Sequence, residues 1–307
     1  MSADWLRAQL HGPADPRPFE EVAEISFVPV QDGSLRVLRT RPAAPTGRPV
    51  VLIPGFGATV ASWQDFYALT QARVELIVIE TLEKRTTTLT TEHPDFSVGA
   101  MARDIGLALD HLGVSGRDHV LMGSCWGATL VLEGLMRGAF DPPTVAVYDP
   151  MHAMWFPKLL LRYLAPHIPP ELVDLLRAPI SAVALHGMDQ PRQRARAESA
   201  IAAADTLRWS RAAAAAADVE LYGRLGAIAR EVLVFNGSHD KVHDRSHYPR
   251  IARELPRGRF FFLEVDEVER EHLAGVIALE LAKTRADAPV PDTLAAFEVD
   301  LERPGSA

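Results

Sequence analysis

The sequence predicts an α/β fold: a mostly parallel central sheet of about eight strands, helices on both faces, and a helical insertion. Three observations carry that prediction. Apolar runs such as Val50-Val51-Leu52-Ile53 and Val232-Leu233-Val234-Phe235 do not alternate with polar residues, so both faces of each strand must be covered. Strand-like and helix-like segments follow one another from residue 50 to 148 and again from 231 to about 285. Between them, from 150 to 230, strand signals stop and apolar and Ala-rich helical patterns take over.

Residues 1–22 are proline-bearing and weakly periodic, and read as a loosely held arm. Residues 24–30 and 35–40 flank Asp32-Gly33, a strong hairpin signal, and 42–49 is a loop. The strand at 50–53 is followed by a helix around 60–72 and a strand at 75–80. A helix over 97–112 places Val98, Met101, Ile105, Leu109 and Leu112 on one face. Next come a strand ending at Ser124, a helix to about 137, and a strand at 144–148. After the insertion, strands at 231–235 and 259–265 alternate with helices near 245–254 and 270–285. The domain reading is therefore an arm (1–22), a core in two pieces (23–149 and 231–286), a helical cap (150–230) and a tail (287–307).

Composition excludes several classes. With 48% hydrophobic and 23% charged residues, the 307-residue chain is of ordinary globular composition. Its 32 basic and 40 acidic residues give a net charge of −8, and no basic stripe interleaved with aromatics points to nucleic acid. No apolar stretch is long enough to span a membrane. One cysteine cannot form an intrachain disulfide and suits a reducing compartment, so a cytoplasmic protein is expected. No glycine-rich phosphate motif follows a strand, so no nucleotide cofactor is implied. His239, His243 and His247 recur at intervals of four, but they read as a polar loop entering a helix that Pro249 interrupts; no metal and no cofactor are expected.

The chemistry converges on Gly123-Ser124-Cys125-Trp126-Gly127. Glycines two residues either side of a cysteine, between a buried strand and a helix, form a turn too tight for a Cβ at either glycine. The thiol then projects at a helix N-terminus, whose unpaired N–H groups favour a thiolate. A lone cysteine can also be a small buried hydrophobe, but the local pattern favours a nucleophile. Ser124 is polar yet at the wrong place in the turn.

From these residues the chain resembles the α/β-hydrolase superfamily over roughly 24–285. Val51-Leu52-Ile53-Pro54-Gly55-Phe56-Gly57 is similar to the family's oxyanion loop, with Pro54 where histidine is common. Gly123 to Gly127 matches the nucleophile elbow. Residues 234–240 are similar to the strand and turn that carry the acid, and Glu271-His272-Leu273 matches the place of the catalytic histidine. The resemblance implies a triad of Cys125, His272 and Asp240, with Asp149 as the alternative acid, and an oxyanion hole from the N–H groups of Phe56 and Trp126. The segment 80–88 departs from the family's usual Asp-x-x-Gly-x-Gly. Cysteine stands at the nucleophile position in dienelactone-hydrolase-like and polyhydroxyalkanoate-synthase-like enzymes, though the motif matches neither closely.

The expectation is an acyl-transfer enzyme, hydrolase or acyltransferase/cyclase, with an acyl-Cys125 intermediate. Its substrate is a small ester, thioester (on a carrier in one form) or lactone with a largely apolar body. Met151, Trp155 and Phe156 are candidate substrate contacts, or equally a packing face of the cap. Glu83-Lys84-Arg85 and Thr86 to Thr91 fall near the site entrance, where a solvated loop is the simpler expectation. The Ala- and Arg-heavy composition is compatible with secondary metabolism, by association only. The competing class is a non-catalytic small-molecule-binding protein of the same fold.

Overall fold

The computed structural model describes residues 2–153, 158–159, 172, 185, 190–237 and 246–301. Among them one sheet of ten strands runs through the molecule: β1 (Glu24–Val30), β2 (Gly33–Thr40), β3 (Val50–Ile53), β4 (Leu76–Glu80), β5 (Thr88–Leu89), β6 (Val120–Ser124), β7 (Thr144–Tyr148), β8 (Val232–Asn236), β9 (Gly258–Phe262) and β10 (Glu298–Val299). The spatial order is β1-β2-β4-β3-β6-β7-β8-β9-β10, with β5 paired to β2. All neighbours from β4 to β9 are parallel, and antiparallel pairs occur only at the two margins. The eight expected strands are all present; β5 and β10 are two-residue additions at the margins.

Every residue of β3, β4, β6 and β8 is buried, because helices cover both faces. Alternate strand residues go to opposite sides, so Val51 and Ile53 belong to one core cluster and Val50 and Leu52 to the other. The helices are α1 (Ser2–Leu10), α2 (Phe19–Val22), α3 (Gln64–Thr70), α4 (Val98–His111), α5 (Trp126–Arg137), α6 (Pro191–Ala203), α7 (Thr206–Ala216), α8 (His247–Glu254), α9 (Arg270–Ala282) and α10 (Asp292–Ala295). Helices α4, α5, α7 and α8 contribute to the first cluster; α1, α3 and α9 contribute to the second. The first turn of α4 is capped by Ser97, whose Oγ accepts the Ala100 N–H at 3.3 Å.

The chain ends differ from the expected arm and tail. Residues 2–10 are helical, with Leu6 and Leu10 one turn apart and buried. Beyond residue 286, Leu294 is buried and β10 pairs with β9, while Phe297 packs near Trp5. Short amphipathic segments of this kind have too few periods to be read along the chain, and burial against the finished core orders them. In the insertion the described helices are α6 and α7, with a single antiparallel bridge between Ala153 and Glu220. No described helix is long and apolar enough to cross a membrane.

Candidate functional site

The turn between β6 and α5 holds Cys125 at φ 52° and ψ −116°, a conformation that L-residues rarely adopt. Backbone hydrogen bonds and the flanking glycines hold it there. The Cys125 N–H donates to the Tyr148 carbonyl at 2.9 Å, and the Thr129 N–H donates to the Cys125 carbonyl at 3.2 Å. The flanking glycines allow α5 to close on the sheet: a Cβ at Gly123 would lie 2.6 Å from the Ala128 Cα, and one at Gly127 would lie 2.1 Å from the Ile53 carbonyl oxygen. Such strain costs about 1–3 kcal/mol and clusters at functional sites. Cys125→Gly should therefore be more stable than Cys125→Ala by about 1 kcal/mol after the entropy of glycine is charged against it, measured by urea unfolding. Equal stabilities would mean the turn is unstrained.

The thiol is half-buried, at the carboxyl edge of the sheet and at the N-terminus of α5. The predicted oxyanion loop lies against it. A Cβ at Gly55 would sit 3.2 Å from the Cys125 Cβ and 3.8 Å from its Sγ. The loop is a turn in which the Ala58 N–H donates to the Gly55 carbonyl at 3.1 Å, and Gly57 adopts φ +68° as a type II turn requires at its third position. Phe56 meets Trp126 edge-on with ring centroids 6.3 Å apart, so the two expected oxyanion donors belong to neighbouring residues of one assembly. Ser124 is the last residue of β6 and is buried.

His272 lies in the first turn of α9, with 22% of its side chain exposed. Its polar partner among the described residues is Asp65 of α3, with Nδ1 3.5 Å from Oδ2. Burial holds its pKa below the ordinary histidine value; Asp65 opposes that shift, and Arg192 and Arg196 reinforce it. Asp65 also pairs with Arg192 at 2.6 Å and with Arg196, and Arg196 pairs with Glu271, so α6 is stitched to α3 and α9 by charges. Asp149 is fully buried at φ +49°, accepting from Asn236 Nδ2 at 2.6 Å and Arg270 Nε at 2.8 Å. Each of its oxygens thus has a partner other than His272. Asp240, Trp155 and Phe156 lie outside the described residues, as do His239 and His243. Met151 is half-buried against the core, and its carbonyl accepts from the Thr129 hydroxyl at 2.7 Å.

The segment after β4 corrects the expectation of a solvated loop. Glu83 and Lys84 are buried, with side-chain exposures of 0% and 4%, and pair at 2.7 Å. Arg85 and Thr86, by contrast, are exposed. A cavity of about 250 Å³ lies between the oxyanion loop and the cap, lined by Gly57, Thr59, Lys84, Arg85, Ser199 and Trp209 among others; Cys125 is not among its lining residues. Trp209 of α7 lines it on the cap side, and the adjacent Arg208 ties α7 to the segment after β4. The Trp209 ring occupies the space where a Gly57 Cβ would be, and Arg208 Nη1 donates to the carbonyls of Lys84 (2.8 Å) and Thr87 (3.1 Å). Asp65, Lys84, Arg208 and Trp209 carry no motif that sequence reading could use, because their partners are distant in the chain. Among the described residues no group of three or more His, Cys, Asp or Glu side chains is arranged to hold a metal ion.

Sequence comparison with curated proteins returns no match. Solved structures that resemble this one include a hydrolase from Pseudomonas aeruginosa PA01 (16% identity, TM-score 0.66, covering 83% of this chain and 98% of that one). A thermophilic esterase from Thermogutta terrifontis aligns at 17% identity and TM-score 0.63 over 84% of this chain and 97% of that one. A hydrolase from Oleispira antarctica aligns at 14% identity and TM-score 0.62 over 80% and 92%. At these identities the likeness is one of fold. The model of the alpha/beta hydrolase family matches residues 50–278, spanning oxyanion loop, elbow and His272, and the chain belongs to that family.

Proposed function

We propose that the protein is an acyl-transfer enzyme that forms an acyl-cysteine on Cys125. The observation that carries this reading is the strained Cys125 at the strand–helix turn, with the oxyanion loop packed against it. A binding protein has no need to hold a thiol in such a conformation. In the proposed reaction the Cys125 sulfur attacks the acyl carbonyl of an ester, thioester or lactone, and the carbonyl π pair moves to oxygen. The N–H groups of Phe56 and Trp126 hold that oxyanion. His272 accepts the thiol proton and returns it to the leaving alkoxide or thiolate as the intermediate collapses. Water or a second nucleophile then releases the acyl group. In the family's chain order the orienting acid is Asp240, while Asp65 is the described carboxylate that faces His272.

A second reading, small-molecule binding without catalysis, is favoured by one observation: Cys125 does not line the cavity between loop and cap. Acid-quenched intact mass after mixing with a panel of acyl thioesters and activated esters separates the two. An adduct on the wild-type chain that is absent from Cys125→Ala is expected. An adduct that persists in Cys125→Ala, or no adduct alongside undiminished ligand affinity in that variant, would falsify the enzyme reading.

A further inference from the structure

We infer that Lys84 is a positioning residue for the oxyanion hole: it fixes the Gly55 carbonyl and so aims the Phe56 N–H at Cys125. The inference rests on the proposed nucleophilic role of Cys125. Lys84 Nζ donates to the Gly55 carbonyl at 3.1 Å, as well as to Glu83 Oε1 at 2.7 Å and Thr81 Oγ1 at 3.3 Å. All three donor positions of the ammonium therefore have an acceptor. The Gly55 carbonyl and the Phe56 N–H belong to one planar trans peptide, so they point in opposite directions. Anchoring the oxygen on the Lys84 side turns the N–H to the other side. Gly55 itself abuts Cys125, with a Cβ there falling 3.8 Å from Sγ.

The same carbonyl also accepts the Ala58 N–H at 3.1 Å, so both of its lone pairs are used and the peptide has little freedom to rotate. A cation on the oxygen further polarises the peptide and makes its N–H a stronger donor. Stability alone is a poor reason to keep this arrangement, because a buried ion pair seldom repays its desolvation relative to apolar residues. Positioning is a better one. The cap supports it from behind: Arg208 of α7 holds the Lys84 backbone carbonyl at 2.8 Å, while the adjacent Trp209 covers Gly57. Loop, lysine and cap thus form one assembly around the peptide that would meet the oxyanion.

The test compares two reactions of the same sulfur. Acylation by 4-nitrophenyl butyrate passes through an oxyanion; alkylation by iodoacetamide does not. In Lys84→Met the acylation rate constant, read by intact mass, should fall about 100-fold, while the alkylation rate stays at the wild-type value. Because Lys84→Met strands the Glu83 carboxylate, Glu83→Gln/Lys84→Met is measured beside it; it removes both charges together and should show the same selective loss. Wild-type acylation rates in a folded double variant would overturn the inference. So would an equal fall of acylation and alkylation, since that would place the effect on the thiol and not on the oxyanion. If the wild-type chain itself forms no butyryl adduct on Cys125, the failure belongs to the acyl-cysteine reading on which this inference rests.

Discussion

Gly127→Ala is expected to cost about 3 kcal/mol or more in stability, at the upper end of overpacking, and to remove acylation of Cys125 altogether. The added Cβ would lie 2.1 Å from the Ile53 carbonyl oxygen and 2.7 Å from that of Pro54. Both obstacles are backbone, at the point where β3 runs into the oxyanion loop, so neither can yield by changing a rotamer. The chain can accept the methyl only by moving α5 away from β3. That separates the elbow, which carries the thiol and the Trp126 N–H, from the loop that carries the Phe56 N–H. Gly116→Ala serves as the control, because no atom lies within 4 Å of a Cβ there. It should change stability by no more than about 0.5 kcal/mol. Urea unfolding and acyl-adduct formation on both variants check the prediction. A Gly127→Ala protein with wild-type acylation would show that close contact of loop and elbow is not needed.

His272→Ala should lower the rate of acylation by about 100- to 10,000-fold, the range for removal of a general base. The pH profile gives the sharper test. Burial lowers the pKa of His272 below 6.5, so its imidazole is neutral and able to accept a proton at pH 7. Acylation should therefore rise with pH through an inflection below 6.5 and be lost as His272 is protonated on the acid side. Asp65 is the stronger of two carboxylates that raise this pKa, Glu269 being the other, against Arg192 and Arg196. In Asp65→Asn the two cations remain without that carboxylate, and the acid limb should move to lower pH. An acid limb that survives unchanged in His272→Ala would assign the base elsewhere. One that stays in place in Asp65→Asn would mean the Asp65 carboxylate does not act on the imidazole during the reaction.

Much of the fold was legible because its signals are local. Unalternating apolar strands require cover on both faces, and the glycines around Cys125 announce a turn whose geometry is set by backbone contacts within a few residues. The structure adds long-range reasons for those glycines, since the atoms Gly127 avoids belong to Ile53 and Pro54. The sequence alone thus determined a doubly covered parallel sheet and a lone cysteine displayed at its edge. Tertiary structure decided what surrounds that cysteine. It engaged Asp149 with Asn236 and Arg270, and it put Asp65, 207 residues before His272 in the chain, beside the imidazole. It also buried Glu83 and Lys84, which read as solvated, against the oxyanion loop. The physical reason is the same in each case. A charged side chain's partners are chosen by where folding brings opposite charge and desolvation together, and no spacing along the chain encodes that meeting.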